Sequence, residues 1–234
     1  MTMTSPRNTD RAALAARLAG VYLLTPDVDA DGFDALRTGL GRALAAGVAA
    51  VQYRNKRASA AERRIQARSL QELARTHGAL FIVNDDVALA SEIDADGVHL
   101  GRDDGDIAAA RAALPGKLLG VSCYDDLARA AAAAAAGADA LAFGSVFASA
   151  TKPGAVRASL DLLRQARGRF GDRRIVAIGG IDAGNIGAVG AAGAHAAALI
   201  SAVFDAADTR AAVDHLQREF SKGHLQHDSQ RTTV

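Results

Sequence analysis

The stretch that decides the fold is residues 79–104, ALFIVNDDVALASEIDADGVHLGRDD. An apolar run from Ala79 to Val83 stops at Asn84, Asp85 and Asp86, and Val87, Ala88, Leu89 and Ala90 then read as a short helical stretch. A second run, Gly97 to Leu100, stops at Gly101, Arg102, Asp103 and Asp104. The pattern predicts strand, crossover helix, strand. A tight crossover makes the two strands parallel, so their ends share one edge of the sheet. Asp85 and Asp104 then stand at that edge, one after each strand. Two readings fit the pair. Two carboxylates there suit a hard divalent cation, most naturally Mg2+ carried in by a phosphorylated substrate. Equally, one aspartate caps the following helix and the other occupies a turn.

Working outward, the same alternation recurs. Strands are expected at 20–24, 48–53, 79–83, 97–100, 118–122, 139–143, 175–178 and 196–200. Helices are expected at 33–46, 60–77, 107–114, 127–136, 160–168, 183–192 and 206–220, besides the short stretch from Val87. Short strands alternating with longer helical patterns imply a parallel sheet. Eight such units in residues 20–220 predict one (β/α)8 TIM barrel of α/β class, with a doubly wound sheet as the alternative. Residues 1–19 are expected to form a tail, disordered over 1–10, and a short helix, 11–19, covering the bottom of the barrel. Residues 221–234 are expected to be a polar tail.

Composition narrows the function class. Half of the 234 residues are hydrophobic, enough for a sizeable core. A net charge of +1 argues against nucleic acid or an anionic membrane as main partner. The longest apolar stretches are too short to span a bilayer, and MTMTSPRNTD lacks an apolar signal core. Cys123 is the one cysteine, so no intramolecular disulfide forms and a reducing cytoplasm is the expected location. Homo-oligomerisation is left open.

In a barrel, function collects where strands end and helices begin. After the second strand come Gln52, Tyr53, Arg54, Asn55 and Lys56, with Gln52, Arg54 and Lys56 at a spacing of two. If strand geometry persists these three share a face and make an anion site; otherwise the run is a solvated basic loop. Strand five runs into Ser122 and Cys123. Strand six runs into a long loop from Gly144 to Gly154 that carries Ser149, Ala150, Thr151 and Lys152, either a lid or a solvent-facing connection. Gly179 and Gly180 follow strand seven, and Ile200 and Ser201 close strand eight, where this fold usually binds phosphate. His99 reads as a hydrogen-bonded residue behind the site, His77, His195 and His215 as structural, and Cys123 as a small packed residue. No zinc spacing is present.

Taken in order, QYRNK, VNDDVALA, DGVHLGRDD, GVSC, GADALAFGSVFASATKPGA, VAIGGI and ALISAVF make the chain resemble the thiamine-phosphate synthase (thiamine-phosphate pyrophosphorylase) family over about residues 20–205. The resemblance implies a transferase that joins a pyrimidine methyl diphosphate to a thiazole phosphate, the latter with or without a carboxylate, and releases pyrophosphate. It implies Gln52, Tyr53, Arg54, Asn55, Lys56, Asn84, Ser122 and Lys152 as the pyrimidine diphosphate set, with Lys152, Ser122 and Arg54 closest to the chemistry. Ser149, Ala150, Thr151, Gly180, Ile200 and Ser201 are implied for the thiazole phosphate, and Asp85 and Asp104 for Mg2+. Arg102 departs from the family's usual Gln, and Ser149 stands where Thr is commoner. On the same barrel, a thiazole phosphate tautomerase or a non-catalytic regulator binding a thiamine precursor are the rival readings.

Overall fold

The computed structural model describes the backbone of residues 6–148 and 157–232, and the side chains of residues 11–148 and 157–227. Eight parallel strands are present: β1 (Gly20–Leu24), β2 (Ala50–Tyr53), β3 (Leu80–Asn84), β4 (Gly97–Leu100), β5 (Leu118–Tyr124), β6 (Ala140–Phe143), β7 (Arg174–Ile178) and β8 (Ala196–Leu199). They close into a barrel in sequence order, with Tyr22 of β1 opposite Ala50 of β2 on one side and Ala198 of β8 on the other. Around and between them run α1 (Pro6–Ala16), α2 (Phe33–Leu44), α3 (Ala60–Thr76), α4 (Val87–Glu92), α5 (Ile107–Ala113), α6 (Leu127–Ala135), α7 (Leu160–Arg169), α8 (Ile186–Ala191), α9 (Ser201–Phe204) and α10 (Thr209–Thr232).

The period-two pattern of the strands separates two cores. Tyr22, Leu24, Ala50, Leu80, Ile82, Leu118, Ala140, Ala142, Val176, Ala196 and Ala198 fill the barrel interior. Their neighbours in sequence, among them Val51, Tyr53, Phe81, Val83, Val121 and Phe143, pack outward with the helices. Leu14 and Ala15 of α1, with Leu18, close the bottom of the interior, as expected of the N-terminal helix. There Asp139 bridges Arg11 at 3.1 Å and Arg111 at 2.9 Å, and accepts the Leu119 N–H at 3.0 Å.

Helix starts follow local chemistry. Ser59 and Glu62 form a reciprocal capping box at α3. Asp86, Asp106, Asp126 and Ser159 cap α4, α5, α6 and α7. These caps matter for the site, because Asp86 and Asp106 do the capping and leave Asp85 and Asp104 to other work.

Some ends differ from expectation. The first helix starts at Pro6 instead of residue 11. The helix expected over 183–192 is only Ile186–Ala191, because Asp182 and Asn185 first close a turn on each other's backbone and side-chain groups. The helix expected at 206–220 starts at Thr209 as α10, after a separate short α9 at Ser201–Phe204, with Asp208 accepting the Ala211 N–H at the start of α10. The expected polar tail from Ser221 is helical through Thr232. Its polarity hid this, but Val213, Leu216 and Phe220 are buried, and Gly223 continues that face closely against the Gly187 carbonyl of α8. Among the described residues no helix is long and apolar enough to cross a membrane.

Candidate active site at the barrel mouth

At the C-terminal ends of β2, β3 and β4 lies a cavity of about 570 Å³ lined by Tyr53, Arg54, Asn55, Lys56, Arg63, Val83, Asn84, Asp85, Asp86, Val87, Leu89 and Asp104. It thus brings together Arg54, Lys56, Asn84, Asp85 and Asp104, residues on three separate connections. Asp85 sits at φ +63°, a left-handed conformation an aspartate tolerates better than bulkier residues, and its N–H donates to the His99 carbonyl at 2.8 Å. That bend turns the carboxyl toward Asp104, which lies within hydrogen-bonding reach. Burial and then the Asp104 carboxyl push the Asp85 carboxyl up to about 6, against the pull of Lys56 and Asn84. Lys56 Nζ stands 3.7 Å from Asp85 Oδ2. Asp104 Oδ2 also accepts the Gly101 N–H at 2.8 Å, so the turn reading of this residue holds alongside its place in the cavity.

The other expected residues are placed as follows. Gln52 points into the barrel, its Nε2 donating to the Tyr22 hydroxyl at 2.7 Å. Burial raises that phenol. Tyr53 floors the cavity from the outer core, its hydroxyl donating to Gln66 Oε1 at 2.9 Å and its ring stacked on Phe81. Asn55 is buried and holds the loop, donating to the Val28 carbonyl and to Gln66. Ser122 lies at the inner mouth, 2.9 Å from His99 Nε2. Gln52, Ser122, Gly180, Ile200 and Ser201 do not line the same cavity. Gly180 has φ +63°, and a Cβ there would lie 2.3 Å from the Ala148 carbonyl, so the close approach seen at this glycine is to the chain's own β6–α7 connection. Ile200 precedes α9 and Ser201 opens it at the surface. Ser149, Ala150, Thr151 and Lys152 lie outside the described residues. Cys123 is fully buried, and burial pushes its thiol up to about 12, which makes it a packing residue.

Set at a barrel mouth, two facing carboxyls beside an arginine and a lysine can hold a phosphorylated anion with a divalent cation. Two carboxylates completed by substrate phosphates are the usual protein share of a Mg2+ site. The sequence profile of the thiamine monophosphate synthase family matches residues 21–203. The chain belongs to the thiamine monophosphate synthase family. It is 54% identical over 199 residues to the thiamine-phosphate synthase of Chromobacterium violaceum, covering 84% of this chain and 93% of that protein. It is 53% identical over 196 residues to the thiamine-phosphate synthase of Azoarcus sp. strain BH72, covering 83% and 94%. In structure it is similar to the thiamine phosphate pyrophosphorylase from Pyrococcus furiosus, at a TM-score of 0.79 and 34% identity, covering 90% of this chain and 98% of that one.

Within this family member, several site neighbours escaped sequence reasoning. Arg63 of α3 lines the cavity although it sits on a helix that reads as a solvated amphipathic face. Asp27 of the β1–α2 loop bonds to Arg54. Gly120 lies flat under His99, and a Cβ there would fall 2.6 Å from His99 Nδ1. The inward parity of β5, which puts Leu118, Gly120 and Ser122 on one face, could have flagged it.

This last contact gives an expected result. Gly120→Ala drives the half-buried His99 ring off its Ser122 bond and overpacks the interior, costing about 1–3 kcal/mol of stability. Urea unfolding measures it. Removing the ring as well, in Gly120→Ala with His99→Ala, relieves the overlap, so the double variant loses less than the sum of the single ones.

Proposed function

We propose that the chain is a thiamine-phosphate synthase, a transferase that joins the methylene carbon of a pyrimidine methyl diphosphate to the ring nitrogen of a thiazole phosphate and releases pyrophosphate. The observation that carries the reading is the meeting of Arg54, Lys56, Asn84, Asp85 and Asp104 in one cavity at the barrel mouth. A tautomerase or a precursor-binding regulator has no use for two carboxyls held in contact at a desolvation cost.

Pyrophosphate leaves readily only when its charge is neutralised. Arg54 and Lys56 supply fixed positive charge at the end of β2, and Lys152 is proposed to add a third from the β6–α7 connection. Asp85 and Asp104 would hold Mg2+, which when bound neutralises the diphosphate oxygens and polarises the leaving group. Asn84 and Ser122 are proposed to orient the aminopyrimidine, together with Gln52 of the barrel interior. Ser149, Ala150, Thr151, Gly180, Ile200 and Ser201 are proposed for the thiazole phosphate. No protein nucleophile is required. The residues bind, orient and stabilise charge.

The test is a coupling assay with both substrates, with and without Mg2+. Thiamine phosphate and pyrophosphate should form in equal amounts and only with the metal; pyrimidine alcohol without thiamine phosphate would refute the reading. Separate subsites make a second expected result. Lys56→Ala should weaken the pyrimidine diphosphate more than the thiazole phosphate, and Ser201→Trp the reverse, as measured by titration calorimetry. Equal losses for both ligands in both variants would contradict the assignment.

A further inference from the structure

We infer that Asp27 is a positioning residue for the diphosphate subsite, aiming the Arg54 guanidinium and fixing the path of the chain through Lys56. The inference rests on the synthase reading above. Asp27 lies on the connection from β1 to α2, far in sequence from the residues it touches. Its Oδ2 accepts from Arg54 Nη1 at 2.7 Å, and its Oδ1 accepts from the Lys56 N–H at 2.7 Å. One carboxylate therefore grips both a side chain and a backbone group of the loop after β2. Thr25, two residues earlier, grips the same loop by its backbone alone. Thr25 Oγ1 accepts the Arg54 N–H at 2.8 Å and donates to the Arg54 carbonyl at 2.7 Å. Of Thr25 and Asp27, Asp27 is the one that holds a cationic side chain; Asp29 reaches Arg57 farther out, at 3.4 Å between two exposed groups.

A guanidinium is planar and carries five N–H donors in a fixed fork. Pinning Nη1 sets the orientation of the plane and leaves the remaining donors for phosphate oxygens. Without the pin, the arginine must be ordered at the moment of binding, an entropic cost that preorganisation removes. Burial alone would raise the Asp27 carboxyl. The Lys56 N–H and the Arg54 guanidinium outweigh it and hold the group below its ordinary range, so it is ionised where the enzyme works. An opposing effect exists, because a carboxylate near an anion subsite repels the ligand. The two effects predict opposite signs. Asp27 is part-exposed and already paired, which screens its charge, whereas the geometric constraint on Arg54 is lost entirely on removal.

The experiment is a double-mutant cycle on pyrophosphate binding in the presence of Mg2+, with wild type, Asp27→Ala, Arg54→Ala and the double variant. Asp27→Ala should weaken pyrophosphate by about tenfold, the size of one well-placed charged hydrogen bond. In the Arg54→Ala background the same change should matter less than about twofold, since no guanidinium is left to aim. Asp27→Asn keeps an acceptor for the Lys56 N–H and should fall between; it carries the test if Asp27→Ala does not fold. Affinity for the thiazole phosphate should not change. Equal effects in both backgrounds would reduce Asp27 to a structural residue, and tighter pyrophosphate binding by Asp27→Ala would make it a repulsive neighbour; either overturns the inference. Wild type that fails to bind pyrophosphate with Mg2+ would overturn the synthase reading as well, so the two failures are distinguishable.

Discussion

Asp85→Asn and Asp104→Asn should each lower turnover by about 10²–10³-fold, the size of losing one preorganised electrostatic contact, while the protein stays folded. Asparagine is the informative replacement. It accepts the left-handed backbone at Asp85, where φ is +63°, with less strain than most residues, and at position 104 it can still accept the Gly101 N–H. What it removes is charge. The two carboxyls stand together without a strong local cation, since Lys56 is 3.7 Å from Asp85 and more than half exposed. Because Asp85 titrates near 6, above the ordinary carboxylate value of about 3.9, its contribution favours the fold at low pH and is lost as pH rises through about 6. A bound divalent cation reverses this, because it needs both carboxyls ionised. Thermal unfolding without Mg2+ should therefore gain from Asp85→Asn at neutral pH. The apparent affinity for Mg2+ with pyrophosphate should fall as pH drops below about 6. Near-normal turnover of both variants at low Mg2+ would remove these residues from the metal site.

Asp139→Ala should destabilise the barrel by about 3–5 kcal/mol, the usual range for removing one partner of a buried ion pair. Asp139 is 6% exposed at the bottom of the barrel and joins α1, α5 and β5 through Arg11, Arg111 and the Leu119 N–H. Burial raises its carboxyl despite the two guanidiniums, and burial likewise lowers Arg111, so the pair itself is no large net gain. The cost comes from stranding its partners. Asp139→Asn keeps an acceptor for the Leu119 N–H and should lose less. Urea unfolding decides it. A loss under about 1 kcal/mol would mean that Arg111 is satisfied by the Leu114 and Lys117 carbonyls it already reaches.

Much of this was legible in the chain. The strand–crossover–strand reading of residues 79–104 and its repetition gave the closed barrel, because period-two apolar runs bounded by Asn, Asp and Gly carry both topology and direction. The Asp85 and Asp104 pairing followed from parallel strand ends. Local pattern left the cap-or-metal choice open; the structure gives the caps to Asp86 and Asp106 and the Gly101 turn to Asp104, and metal binding by Asp85 and Asp104 is our proposal. The contacts made by Asp27 were not legible, because they join a residue after β1 to a loop after β2, and no local pattern carries a long-range pair. The length of α10 was hidden by its polar composition, since its burial depends on α8 packing beneath it. At Gln52, Arg54 and Lys56 the spacing of two was only half informative. Gln52 faces the interior, whereas Arg54 and Lys56 lie past the strand end, where Asp27 bonds the Arg54 guanidinium and the Lys56 N–H.

The most direct test of the diphosphate–metal subsite is pyrophosphate binding by calorimetry, with and without Mg2+, in wild type and in Asp85→Asn. The account predicts that Mg2+ strengthens pyrophosphate binding to wild type by at least about tenfold, and that Asp85→Asn abolishes the enhancement while still binding weakly through Arg54 and Lys56. Binding that is the same with and without Mg2+, or an enhancement that survives in Asp85→Asn, would contradict it.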